Sequence, residues 1–287
     1  MKKILVSSNC QTGGLAAVLK YIFPGDQILP FAAPDIKDFT RVAQLHSELE
    51  DADAWITTNT YDFLVKDSTQ IILTPRITFF GFHPDITYAR RNPNRSKTLF
   101  HYNSKIALWA YKRGLTVNDA ALLYTKNIYQ SLGYFDFWDN SVDYLKKRFL
   151  HEAGMSQSDF LGFYLSVKRG GNFMHTINHP MPLALIELGR IIARKLDDSI
   201  DIVNRPISIP DTLIQTIWPI YPEIAEQLGV AGSYIWKING ISIHGVHDFL
   251  TYTFNDYKDQ KINPAYLEPE PTLPDFFNEV LESYIKS

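Results

Sequence analysis

The chain has 287 residues, of which 45% are hydrophobic and 14% aromatic, so it can bury one large core or two closely packed ones. Its 28 basic and 31 acidic side chains give a formal net charge of -3 without a long run of either sign, which argues against duplex nucleic acid as the main partner. The single cysteine excludes an intramolecular disulfide framework and fits a reducing compartment, so we expect a cytoplasmic protein.

Apolar segments of the length needed for export or membrane insertion are not found in the sequence. The apolar run Ile4–Val6 stops at Ser7, too early for the apolar region of a signal peptide. The most apolar later window, residues 183–193, is interrupted by Glu187 and Arg190. We therefore expect no export by this route and no membrane insertion.

The N-terminal part alternates predicted strands with predicted helices. Residues 2–8 predict a strand, and the apolar positions between Gly13 and Ile22 recur at helical spacing. Further strands are predicted at 27–29, 54–58, 70–73 and 77–82, and a helix at 40–49. This alternation indicates an α/β fold with a doubly wound, mostly parallel, Rossmann-like sheet.

The chain after residue 90 is predicted to be mainly helical. Helical windows occur at about 102–113, 117–132, 139–153, 182–196 and 275–285. We therefore predict a sheet part over residues 1–90, carrying Cys10 and His83, and a mainly α-helical part over 91–287. The two parts are expected to form one compact unit with the site between them.

Cys10 lies where the first predicted strand ends and the first predicted helix begins, the edge at which open α/β sheets bind ligands. The N–H groups and dipole of a helix N-terminus lower the pKa of a thiol, which makes Cys10 a candidate nucleophile. The same N–H groups, with the side-chain amides of Asn9 and Gln11, are candidates for holding a phosphate or an oxyanion. A small buried hydrophobe is the alternative for a lone cysteine. The nearby glycines match neither a Walker nor a Rossmann pattern, so ATP and NAD are not supported.

His83 is a candidate general base. It follows the strand predicted at 77–82, so it would share a sheet edge with Cys10 if that strand is parallel to the first. Asp85 is a candidate for orienting the imidazole, although residues so close in sequence rarely pair directly. The alternative is that His83 only caps a turn before Pro84.

The segment 168–180 combines basic residues, glycines and histidines ahead of a predicted helix. Lys168 and Arg169 can neutralise phosphate, and Asn178 or His179 can donate hydrogen bonds at the helix entry. The alternative is an ordinary solvated loop.

Two lesser features complete the candidates. His175 and His179 are four residues apart, but the prolines nearby make a poor helix and no acidic residue lies between them, so we expect no metal site. Arg90 and Arg91 could contact a nucleotide phosphate or simply form a solvated loop.

Three of these segments together resemble the WcbI family of polysaccharide biosynthesis proteins: Asn9-Cys10-Gln11, His83-Pro84-Asp85 and Asn178-His179-Pro180. The resemblance implies binding of coenzyme A or acetyl-CoA and O-acetylation of sugars of a capsular polysaccharide. The partners would be a small acyl donor and a glycan acceptor, with no nucleic acid.

With this resemblance, the predicted catalytic residues are Cys10, His83 and His179. The predicted cofactor-binding residues are Asn9, Gln11, Arg90, Arg91, Lys168, Arg169, His175 and Asn178. The alternative functions are an SGNH-like esterase or thioesterase, and a non-catalytic protein that binds coenzyme A or glycans.

Overall fold

A computed structural model describes residues 1–35, 37–58, 65–92, 95–200, 206–259, 268–270 and 273–286. Two compact units are present, and each is built from two chain segments. The first comprises Met1–Phe79 with Val142–Ile214, and the second Phe80–Ser141 with Gln215–Ser287. This division differs from the predicted boundary at residue 90, because the chain leaves the first unit at Phe80 and returns to it at Val142.

The first unit is built on a parallel sheet of four strands in the order β2-β1-β3-β4. These are β1 (Lys3–Ser7), β2 (Gln27–Pro30), β3 (Ala54–Thr57) and β4 (Gln70–Leu73). In the register of the sheet, Leu5 of β1 lies between Leu29 and Trp55. Central strands β1 and β3 are largely apolar and buried, as expected for parallel strands covered on both faces.

Eleven α-helices lie in the described part of the chain. In chain order they are α1 (Thr12–Ile22), α2 (Phe39–Leu49), α3 (Lys105–Lys112), α4 (Val117–Ala121), α5 (Lys126–Ser131), α6 (Phe137–Lys147), α7 (Gln157–Arg169), α8 (Pro182–Leu196), α9 (Pro222–Leu228), α10 (Val246–Asp259) and α11 (Asp275–Lys286). None of those helices has the length and apolar character needed to cross a lipid bilayer.

Helices cover both faces of the parallel sheet. Leu45 and Leu49 of α2 pack with Leu5 and Trp55 on one face. The chain runs from β1 to its neighbour β2 on one side, and then from β2 to β3 on the other side of β1. The two crossovers therefore run in opposite directions. Because crossovers of this kind are right-handed, α1 and α2 lie on opposite faces of the sheet. The predicted doubly wound α/β fold is confirmed.

A close helix contact secures α1 against α8 on its face of the sheet. A Cβ added to Gly189 of α8 would lie 2.4 Å from Cγ1 of Val18 in α1. The glycine therefore allows the two helix backbones to approach closely.

The predicted strand at 77–82 is absent, and the parallel sheet ends with β4. Pro75 offers no backbone N–H with which to continue a ladder. Residues 74–80 instead lie outside any strand, and the Phe79 N–H donates to the carbonyl of Ile177 at 2.8 Å. His83 consequently does not follow a strand of this sheet.

The second unit contains strands that the sequence analysis missed. Strands β5 (Ile86–Asn92), β6 (Arg95–Ser104) and β9 (Glu268–Glu270) form an antiparallel sheet, and β7 (Ile235–Ile238) pairs with β8 (Ile241–His244) in a hairpin. The helix predicted from residue 102 begins only at Lys105, because Ser104 caps it by accepting from the Ala107 N–H. The part after residue 90 is mainly helical, as predicted.

Candidate active site

A tight turn joins β1 to α1 and carries Cys10 at its tip. The Ser8 N–H donates to Oγ1 of Thr12 at 2.9 Å, and this hydroxyl donates to the carbonyl of Asn9 at 2.8 Å. The Gln11 N–H donates to Oδ1 of Asn9 at 3.0 Å. The turn is thus fixed by its own side chains, and the predicted ligand-binding amide of Asn9 serves the turn.

Cys10 stands at the topological switch point of the sheet. Strand β1 lies between β2 and β3, and the chain crosses from the end of β1 to β2 on one side and later to β3 on the other. Open α/β sheets bind ligands outside the carboxyl ends of their strands at this point. Cys10 is exposed there, so it is not the buried hydrophobe of the alternative interpretation.

The surroundings of Cys10 disfavour its thiolate. The pKa of Cys10 is raised, mainly by burial and against a smaller lowering by a backbone hydrogen bond. The residue reaches the surface, yet neighbouring atoms exclude much of the water around its sulfur. The Cys10 Sγ–H also points at the carbonyl of Asn178, 3.8 Å away. The expected lowering of this pKa by the helix N-terminus was therefore wrong, because desolvation outweighs it.

The side chain of Gln11 connects three segments of the first unit. Its Oε1 accepts from the Ile77 N–H at 3.1 Å, while Nε2 donates to the carbonyls of Ile77 at 2.8 Å and Asn178 at 3.0 Å. Gln11 is buried, and both of its amide hydrogens are used. In this conformation it positions the turn, and its predicted contact with a cofactor remains a prediction.

The segment 173–181 forms a hairpin-like turn beside Cys10. The Met181 N–H donates to the carbonyl of Phe173 at 2.9 Å, and the His175 N–H donates to that of His179 at 2.7 Å. This turn presents the Asn178 carbonyl to both Cys10 and Gln11. The structure therefore brings together three of the predicted site residues: Cys10, Gln11 and Asn178.

His175 makes a side-chain hydrogen bond to Asp211 that the sequence analysis missed. Its Nε2 lies 2.7 Å from Oδ2 of Asp211, and the imidazole is buried. Asp211 lies 36 residues away within a proline-rich stretch, and no spacing in the sequence signals the pairing. Among the described residues, no group of three or more His, Cys, Asp or Glu side chains could hold a metal ion.

The predicted phosphate-binding residues have different settings. Lys168 and Arg169 are exposed in the last turn of α7, with the Lys168 ammonium 5.7 Å from the centre of the Tyr164 ring. Arg90 and Arg91 lie on β5, but their side chains are outside the described residues. The role of all four in phosphate binding remains a prediction.

The two predicted general bases also differ in setting. His179 is half-buried in the hairpin-like turn, where its N–H donates to Oγ1 of Thr176 at 3.2 Å. His83 is buried in the second unit, in a short loop where its N–H donates to the carbonyl of Phe80 at 2.9 Å. A site shared by His83 and Cys10 remains a prediction.

Asp85 anchors the loop that carries His83. Its Oδ1 accepts from the Tyr134 hydroxyl at 2.8 Å and the Ile106 N–H at 3.2 Å, and its Oδ2 accepts from the Tyr221 hydroxyl at 2.7 Å. Burial raises the pKa of Asp85 in spite of these bonds. Both carboxylate oxygens of Asp85 therefore accept hydrogen bonds from the two tyrosine hydroxyls and from an N–H at the N-terminus of α3.

These features define an α/β protein with a cysteine-bearing turn at the switch point of a parallel sheet. A family model described as the polysaccharide biosynthesis enzyme WcbI matches residues 3–199, well over half of the chain. The chain belongs to the WcbI family, as its motifs suggested. No curated protein sequence matches it significantly.

The fold is also similar to that of a solved structure. That protein is described as WcbI, a novel polysaccharide biosynthesis enzyme, in its native form without a disulfide bond between coenzyme A and one of its cysteines. The TM-score is 0.69 at 13% sequence identity, over 98% of this chain and 95% of that chain. At this identity the likeness concerns the fold.

Proposed function

We propose that the protein is an acyl-CoA-dependent O-acyltransferase that takes the acyl group from acetyl-CoA and transfers it to a sugar or polysaccharide precursor. Support comes from membership in a family of polysaccharide biosynthesis enzymes and from the mention of coenzyme A for the similar solved structure. The observation that carries the proposal is the exposed Cys10 at the switch point of the sheet, where a ligand of this fold would bind.

The surroundings of Cys10 leave room for a thioester. The Gln11 side chain makes no cap hydrogen bond to α1, and a Cβ added to Gly13 would meet no atom of the described residues within 4 Å. A carbonyl oxygen can therefore approach the first turn of this helix, whose N–H groups favour developing negative charge. The phosphates of coenzyme A would be held by Lys168 and Arg169, with Arg90 and Arg91 as the second candidate pair.

Two routes lead from the thioester to the product. In the first, Cys10 is acylated and passes the acyl group to a sugar hydroxyl. In the second, a histidine activates the hydroxyl for direct attack on the thioester, and Cys10 only lines the site. His83 and His179 are the general bases proposed from the sequence.

Calorimetric titration with coenzyme A and acetyl-CoA tests the proposal. We expect micromolar dissociation constants, and about a tenfold weakening in the double variant Lys168→Ala/Arg169→Ala. The matched control is Arg194→Ala/Lys195→Ala, which removes two exposed basic residues from the last turn of α8. Absence of binding to the unmodified protein would overturn the proposal, and equal weakening in both variants would remove Lys168 and Arg169 from the site.

Cys10→Ala separates the two routes. Loss of acetyl transfer with unchanged affinity for coenzyme A supports acylation of Cys10, whereas near-normal transfer excludes it. Consumption of acetyl-CoA without any glycan would instead identify a thioesterase. Binding without turnover on any acceptor would identify a binding protein.

A further inference from the structure

The pair of His175 and Asp211 has a defined hydrogen-bond direction. A carboxylate only accepts, so the 2.7 Å contact between Nε2 and Oδ2 makes Nε2 the donor. The other carboxylate oxygen of Asp211 accepts from the Leu213 N–H at 3.3 Å, which fixes the carboxylate in place. The neutral imidazole of His175 therefore carries its lone pair on Nδ1.

Nδ1 of His175 is buried without a hydrogen-bond partner among the described residues. Only 4% of the residue is exposed, so water does not readily replace a partner. Two backbone N–H groups of the same turn are satisfied: that of Met174 donates to Oδ1 of Asn172, and that of His179 donates to Oγ1 of Thr176. A buried acceptor left open in such a turn indicates a group that arrives with a ligand.

Both members of the pair belong to segments that reach the start of α1. His175 belongs to the turn whose Asn178 carbonyl faces the Cys10 thiol at 3.8 Å. Thr212, the residue after Asp211, has its Oγ1 3.6 Å from the position of a Cβ added to Gly14 in α1. The two chain segments that carry the imidazole and the carboxylate therefore both contact the start of α1 or the turn before it.

We propose that His175 is a catalytic general base of the acyl transfer and that Asp211 is its positioning residue. This inference rests on the proposed function and adds a base that differs from His83 and His179. A His–carboxylate pair holds the imidazole in one tautomer and stabilises the imidazolium that forms during the reaction.

The proton transfers balance over the reaction. The hydroxyl oxygen of the acceptor attacks the thioester carbonyl carbon while its proton passes to Nδ1 of His175. The tetrahedral intermediate then breaks its C–S bond, and the departing sulfur takes the proton from Nδ1. The products are an ester and a thiol, whether the sulfur belongs to coenzyme A or to an acylated Cys10.

Nitrogen-detected NMR of the histidine rings tests the geometry without any substrate. At pH 8 we expect the ring of His175, assigned by its loss in His175→Gln, to carry its proton on Nε2, as its bond to Asp211 requires. In Asp211→Asn the tautomer with its proton on Nε2 should no longer be the main one. A Nδ1-protonated ring, or a fully protonated one, in the unmodified protein would overturn the proposal even if acetyl-CoA binds and reacts.

Kinetics with acetyl-CoA and a glycan acceptor test the role. We expect His175→Gln to lower kcat at least 100-fold with little change in coenzyme A affinity, the range for loss of a general base. Asp211→Asn should lower kcat less and shift the pH profile of kcat. His46→Gln, on an exposed part of α2, is the control. Normal kcat in folded His175→Gln overturns this inference alone, whereas absence of coenzyme A binding to the unmodified protein overturns the proposed function.

Discussion

The carboxamide of Gln11 pairs with the backbone of Ile77 as a neighbouring strand would. It accepts from the N–H at 3.1 Å and donates to the carbonyl at 2.8 Å. Its remaining hydrogen reaches the carbonyl of Asn178. One buried side chain therefore satisfies three backbone groups and ties the Cys10 turn to two other segments.

Gln11→Glu should destabilise the first unit. A carboxylate cannot donate to the carbonyls of Ile77 and Asn178, so the free energy of unfolding should fall by about 2–3 kcal/mol. Urea denaturation followed by circular dichroism measures the loss. Gln44→Glu, on an exposed position of α2, makes the same chemical change without these bonds. Equal stability of the two variants would show that the three bonds contribute little.

The reactivity of Cys10 towards alkylation should rise only at alkaline pH. Burial raises the pKa of this thiol, and only the thiolate reacts with iodoacetamide. The alkylation rate should therefore reach half its maximum above the ordinary thiol pKa of about 8.5. Since the chain has a single cysteine, whole-protein mass spectrometry reports Cys10 directly. A midpoint below pH 8 would contradict the raised pKa.

Lys105 should make stability increase with pH in the alkaline range. Burial lowers the pKa of Lys105 from 10.5 to about 8, and its ammonium lies 5.0 Å from the Phe137 ring centre and donates to the Pro84 carbonyl. Between these two pKa values the unfolded chain binds more protons than the folded one, so stability rises as pH increases. Lys105→Met should abolish this rise, while Lys147→Met at an exposed position should leave it. Denaturant titrations at pH 7.5, 9 and 10.5 compare them.

Alanine substitutions at two helical glycines should act in opposite directions. In Gly189→Ala the new Cβ would lie 2.4 Å from Val18 Cγ1, and such overpacking costs about 1–3 kcal/mol. Gly162 lies in α7 with nothing within 4 Å of an added Cβ. Gly162→Ala should therefore stabilise by about 0.5–1 kcal/mol through helix propensity. Thermal melting of both variants measures the signs, and destabilisation by Gly162→Ala would contradict the second.

The alternation of strands and helices in the first 73 residues could be predicted from the sequence. Each strand or helix there has a characteristic spacing of apolar residues and is followed by a turn. β1, α1 and the Cys10 turn follow from the apolar run, the helical spacing and Gly13. The prediction of a strand at 77–82 was wrong because an apolar run does not show which segment its backbone will hydrogen-bond to. Its hydrogen bonds go to Gln11 and Ile177, which are distant in sequence.

The candidate site was predictable only in part for the same reason. Cys10, Gln11 and Asn178 could be named from their local motifs, but not the shared carbonyl that joins them. Asp211 could not be found, since its pairing with His175 depends on the tertiary fold. The thiol pKa was predicted in the wrong direction because desolvation depends on packing around the sulfur, which the sequence does not show.

The Asn178 carbonyl that accepts from Gln11 also faces the sulfur of Cys10. Ionised sulfur would face the negative end of that carbonyl dipole, so this contact disfavours the thiolate in the same direction as burial does. Because oxidation by peroxide proceeds through the thiolate, the raised pKa of the sole cysteine should slow its oxidation.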